Sequence, residues 1–183
     1  LGLIEQFGAR VFAFDPTPRA IRFVETQAPD PTRFIFKPVG LWSEDTTLRF
    51  FAPQNHEHVS HSVFKVGMLD EFFDAPCKKL TSLMTEFQHD RIDLLKMNIE
   101  GAEYVVLESM LSDGIHPIVI ALSFEGDSAF IKALRWTRQL KQSGYRVVGV
   151  SRWAVTFTLK DKGWLGVNAP SSDYSERGRT LPN

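Results

Sequence analysis

Three short stretches hold the side chains that could do chemistry in this 183-residue chain. Asp15 follows an apolar run and sits in Phe14-Asp15-Pro16-Thr17-Pro18, Glu100 and Glu103 follow a second in Asn98-Ile99-Glu100-Gly101-Ala102-Glu103, and Glu125 ends Ser123-Phe124-Glu125 after a third. An acid closing a strand can accept both hydroxyls of a ribose. Followed by proline, it can equally start a turn as a local acceptor, and both readings stay open for Asp15. Glu100 and Glu103 open a helix, where the dipole favours acids that have no catalytic task. A carboxylate there could also take the proton from a hydroxyl acceptor. His56, His58 and His61 cluster in Asn-His-Glu-His-Val-Ser-His-Ser. In a strand the first two would share a face and His61 would oppose them, so no metal site is expected. His61 stays a candidate proton acceptor in a substrate pocket, beside its reading as an ordinary loop histidine. Lys78 and Lys79 next to Cys77 would lower the pKa of that thiol, but no histidine or helix terminus marks it as a nucleophile. There is no G-x-S-x-G elbow, P-loop or paired C-x-x-C, which removes hydrolase, nucleotide triphosphatase and zinc-ribbon readings.

Composition narrows the partners. With 21 Lys+Arg against 22 Asp+Glu the net charge is −1 and no long run of either sign occurs. A phosphate-tracking surface for nucleic acid is not expected. The longest apolar stretch, Pro117 to Phe124, is far shorter than the ~20 residues of a membrane helix. The single cysteine cannot form an intrachain bridge and fits a reducing, cytoplasmic setting. Leu1 is not a methionine and the opening residues do not read as a signal peptide, so the chain is expected to begin inside a larger protein.

The elements that position these residues follow from pattern. Residues 1–7 read as the last turns of a helix closed by Gly8. Ala9 to Phe14 reads as a strand, followed by a helix with Ala20, Ile21 and Val24 on its apolar stripe. A second strand spans Phe34 to Val39, and Gly40 at its end would allow a sharp exit or the close approach of a ligand. Thr46 to Phe51 and Val59 to Val66 suggest a hairpin. Leu80, Leu83, Met84 and Phe87 return to helical spacing. Ile92 to Met97 is a strand before a helix whose inner face is Ala102, Val105, Val106, Ser109 and Met110. Pro117 to Phe124 reads as a strand buried on both faces, and Ser128 to Ser143 as a helix. Tyr145 to Val150 and Ala154 to Leu159 should pair antiparallel. A domain over 1–165 and a polar tail over 166–183 are expected. The alternation predicts an α/β domain with a mostly parallel sheet, whose ligands gather beyond the carboxyl ends of the strands.

Val-Phe-Ala-Phe-Asp-Pro-Thr-Pro-Arg-Ala (11–20), Val-Gly-Leu-Trp-Ser (39–43) and Leu-Leu-Lys-Met-Asn-Ile-Glu-Gly-Ala-Glu-Tyr (94–104) resemble the FkbM-type methyltransferases. The resemblance covers most of residues 1–159. It implies the class I, Rossmann-like three-layer sandwich with strand order 3-2-1-4-5-7-6, an antiparallel last strand and S-adenosylmethionine as cofactor. It further implies that the first strand and its Gly-rich turn lie upstream of this chain. Val11–Phe14 and Leu94–Met97 should then not pair directly but stand ~9–10 Å apart, two ladder spacings. Asp15 and Thr17 would hold the cofactor ribose, Gly40, Leu41 and Trp42 would border adenine, and Asn98, Glu100 and Gly101 would face the methionine part. Asn98 stands where the family usually carries Asp, and Ser123-Phe124-Glu125 where acid-Phe-His is common. The implied activity is methylation, of oxygen in a small molecule or glycan-like acceptor. The rival reading is a non-catalytic Rossmann-like binding module that keeps the sheet without the donor loop.

Overall fold

The computed structural model describes residues 2–27, 29–53, 62–64, 68–123, 129–151 and 154–160. Helix α1 (Gly2–Phe7) stops at Gly8, whose φ of +62° lets its N–H reach Ile4 O at 3.0 Å while Ala9 N–H reaches Leu3 O at 3.4 Å. This paired closure satisfies carbonyls that the helix end leaves open. Then follow β1 (Val11–Phe14), α2 (Pro18–Gln27), β2 (Phe34–Lys37), β3 (Gly40–Trp42), β4 (Thr46–Pro53), β5 (Met68–Lys79) and α3 (Leu80–Glu86). The chain continues through β6 (Leu94–Met97), α4 (Glu103–Ser112), β7 (Val119–Ser123), α5 (Ala129–Gln142), β8 (Tyr145–Ser151) and β9 (Ala154–Leu159).

The strands form three sheets among the described residues, ordered β1-β2, β3-β5-β4 and β6-β7-β9-β8. The fold is α/β, but the expected mostly parallel sheet is corrected: β1-β2, β3-β5 and β6-β7 are parallel, while β4-β5, β7-β9 and β8-β9 are antiparallel. Parallel pairing needs a long crossover to return the chain, and tight returns such as β8 to β9 impose the opposite sense. The antiparallel last pair matches expectation. β1 and β6 do not pair directly, also as expected, since they lie in different sheets.

β4 pairs antiparallel with β5, Thr46 to Phe51 against Cys77 back to Phe72. Of its expected hairpin partner Val59–Val66, Ser62 makes an antiparallel bridge to Phe51, and 59–61 and 65–66 lie outside the described residues. β5 contains Glu71, Asp74 and Pro76, residue types depleted in strands, and its extended form comes from its two neighbours rather than its own propensity. Pro76 falls just before β3 joins at Cys77, where β5 has only β4 beside it among the described residues.

The main core packs Val106, Leu107 and Met110 of α4 and Trp136 and Leu140 of α5 with Met97, Ile120, Leu122, Tyr145 and Phe157 of the four-stranded sheet. The inner face of α4 thus includes Leu107 where Val105 was expected, Val105 being half-buried. A second cluster joins Phe50, Ala75 and Cys77, with Trp42, Leu48, Val63 and Phe73 against it. The β1-β2 pair docks through Phe12, whose ring meets Phe87 at 4.9 Å and His89 at 4.3 Å, and through the Lys37–Glu86 ion pair. No helix among the described residues is long and apolar enough to cross a membrane.

Candidate functional site

The carboxyl end of β1 runs into Asp15. Its Oδ1 accepts the Thr17 N–H at 2.8 Å, and the Thr17 hydroxyl accepts the Ala20 N–H at 3.2 Å at the start of α2. Asp15 and Thr17 therefore build the turn and cap the helix, as the local reading of Asp-Pro required. One carboxylate oxygen suffices for that work. The other has no hydrogen-bond partner among the described residues, and Asp15 is half-buried.

The carboxyl end of β6 runs into a tighter turn. Glu100 has φ +55° and Gly101 φ +94°, two successive left-handed residues that turn the chain into α4. Glycine accepts this conformation freely, whereas a glutamate there is strained by roughly 1–2 kcal/mol and must be held by its surroundings. The holder is Glu103. Only 3% exposed, it receives the Ile99 N–H on Oε1 at 2.6 Å and the Gly101 N–H on Oε2 at 2.8 Å. Its carboxylate also lies in the first turn of α4, where the helix dipole favours it. Glu103 is thus scaffold, and Glu100, half-buried, is the acid that the turn itself presents. Asn98 is exposed at the strand end.

A third wall comes from β3 and the segment 62–64. Trp42 and Phe64 rings lie 6.3 Å apart at 55°, and Phe64 carbons lie 3.7 Å from where a side chain on Gly101 would begin. The structure so brings Trp42, Glu100 and Gly101 together around Phe64. Ser62 and Phe64 escaped the sequence reading because nothing local marks them: their role comes from a contact spanning 38 positions. Leu41 packs against the main core and Trp42 against the second cluster.

Gly40 needs its missing side chain for a different reason from the one anticipated. A Cβ there would stand 2.7 Å from Cys77 Sγ and 3.0 Å from Phe50 Cζ, so it is side chains of the protein that approach it. Burial pushes the Cys77 thiol up to about 11, against the expectation that its lysine neighbours would lower it. Those amines are occupied elsewhere, Lys78 on Glu86 and Lys79 on Asp113, both at 2.8 Å. His56, His58, His61 and Glu125, together with the tail from 166, lie outside the described residues. Nothing ties Asp15 to the Glu100 turn among the described residues, and the strands that precede them belong to separate sheets.

A family model described as the methyltransferase FkbM domain matches residues 5–147. Among solved structures, the chain is similar to a methyltransferase FkbM from Methylobacillus flagellatus KT, with a TM-score of 0.52 at 12% identity, covering 86% of this chain and 39% of that one. At that identity the likeness speaks for the fold, and this chain spans well under half the length of that structure's chain. No curated protein matches the sequence.

Proposed function

The chain belongs to the FkbM methyltransferase-domain family, and from that premise we propose that it forms a portion of an S-adenosylmethionine-dependent methyltransferase acting on oxygen in a small-molecule or glycan-like acceptor. The observation that supports this reading is the Asp15 oxygen at the end of β1 that has no hydrogen-bond partner among the described residues, which in this reading accepts the hydroxyls of a ribose. In the same reading, β2-β1 and β6-β7-β9-β8 are two parts of one Rossmann-like sheet in a three-layer sandwich, with one more parallel strand between β1 and β6.

The side chains present suit the cofactor. Its ribose hydroxyls need an acceptor, which Asp15 offers from a turn already fixed by Thr17. Its flat base needs an apolar face, which Trp42 and Phe64 supply, while Leu41 turns to the main core instead. Its cationic methionine part is matched by Glu100 and by the exposed Asn98 amide, with Gly101 letting the backbone come close. Bound there, the cofactor supplies a methyl already activated by a sulfonium, so the protein's task is alignment and exclusion of water. In this reading Glu100 takes the acceptor's proton, with His61, outside the described residues, as the second candidate for that role.

Calorimetric titration with S-adenosylmethionine, on this chain and on one extended upstream, tests the proposal. Binding by the extended form, and its loss in Asp15→Ala, is the expected result. No binding by the extended form overturns the enzyme reading and leaves the non-catalytic binding module.

A further inference from the structure

Ser62 is 3% exposed and joins two parts of the molecule that no other described side chain links in this way. Its backbone bridges β4, accepting from Phe51 N–H at 2.8 Å and donating to Phe51 O at 3.2 Å. Its hydroxyl donates to the Glu100 carbonyl at 3.1 Å and accepts the Phe64 N–H at 3.1 Å. A buried hydroxyl engaged as donor and acceptor is satisfied in both roles, and removing it takes a hydrogen bond from each partner.

The partners matter. The carbonyl it holds belongs to the one residue of the site turn that is left-handed without being glycine. The amide it holds belongs to the residue whose ring covers Gly101 and faces Trp42. Glu103 fixes that turn from inside through Ile99 and Gly101, but neither of those bonds touches the Glu100 peptide oxygen. The hydroxyl of Ser62 does.

We propose that Ser62 is a positioning residue for the ligand-binding turn: through the Glu100 carbonyl it fixes where the Glu100 side chain starts, and through the Phe64 amide it sets the aromatic wall over Gly101. The identity of the ligand rests on the reading given under the proposed function. The β4–β5 arm is then part of the binding site rather than decoration on it.

Ser62→Ala and Ser62→Thr in the full-length protein test this with two readouts. Affinity for S-adenosylmethionine should fall about three- to tenfold in Ser62→Ala, the worth of one such hydrogen bond, and stay within about twofold in Ser62→Thr, which keeps the hydroxyl. Without any ligand, amide exchange at Gly101 and Ala102 should quicken at least about threefold in Ser62→Ala only. A lower melting temperature with unchanged affinity in Ser62→Ala would mean a merely structural serine and overturn the proposal. Unchanged exchange at Gly101 overturns it whatever the cofactor does. Failure of the wild-type protein to bind strikes the ligand reading alone, and the exchange comparison still decides the hold of Ser62 on the turn.

Discussion

The turn after β1 and the turn after β6 both present acids at the carboxyl end of a parallel strand. After β1 the proposed reading gives a single acid two jobs: one oxygen of Asp15 fixes Thr17, and the other, without a hydrogen-bond partner among the described residues, takes the ligand. After β6 the proposed reading divides the jobs: Glu103 is buried and gives both oxygens to backbone amides, and Glu100 is the acid assigned to the ligand. The division has a physical origin. A proline-bounded turn is already stiff, so one hydrogen bond completes it. The Glu100–Gly101 turn is strained and is held by a whole carboxylate from within and a serine hydroxyl from outside.

The sharpest test of this contrast is Glu103→Ala, expected to cost about 3 kcal/mol in urea unfolding because two part-buried N–H groups lose a charged acceptor, whereas Glu103→Gln should cost about 1 kcal/mol. Equal losses in the two variants would show that packing, not the acceptor pair, matters at this position. Gly40→Ala should destabilise by ~2 kcal/mol, since its Cβ overlaps Cys77 and Phe50. A stable Gly40→Ala protein with weakened ligand binding would return Gly40 to the site rather than to the core.

Asp15→Asn keeps an oxygen for Thr17, so the melting temperature should hold while affinity for S-adenosylmethionine drops about tenfold, or ~1.4 kcal/mol. If stability falls and affinity does not, Asp15 is only a turn former. Glu100→Gly relieves a left-handed non-glycine residue and should stabilise the fold by about 1 kcal/mol while weakening the ligand. A destabilised Glu100→Gly would mean that the side chain itself anchors the turn.

The smallest effect at neutral pH concerns Cys77, outside both turns. Its folded pKa is raised from 9.0 to about 11 by burial, so its contribution to stability is complete below pH 9 and is lost as pH rises through 11. Ellman's reagent should accordingly leave the folded protein almost untouched at about pH 8 and react fully once urea is added. Rapid labelling of the native protein under those conditions would contradict the burial.

Local chemistry made much of this molecule readable. Gly8 closing α1, the spacing of α4 and α5, the uninterrupted apolar run of β7 and the short return between β8 and β9 each needed only near neighbours in sequence. The same holds for the Asp15–Thr17 turn, where both structural bonds span three residues or fewer. β5 was not readable, because its acids and Pro76 argue against a strand and only pairing with β3 and β4 overrides them. Nor could the sequence tell which of Glu100 and Glu103 would be scaffold, since both suit a first helical turn.

What the sequence determined by itself was the order of elements and the residue types at the strand ends, because periodicity, capping and turn chemistry act over a few positions. What tertiary structure decided was commitment: which carboxylate is consumed by the backbone, what fills the space above Gly40, and that Ser62 closes on Glu100. Those outcomes depend on burial and on contacts between distant positions, where an unsatisfied polar group is costly and a satisfied one fixes geometry.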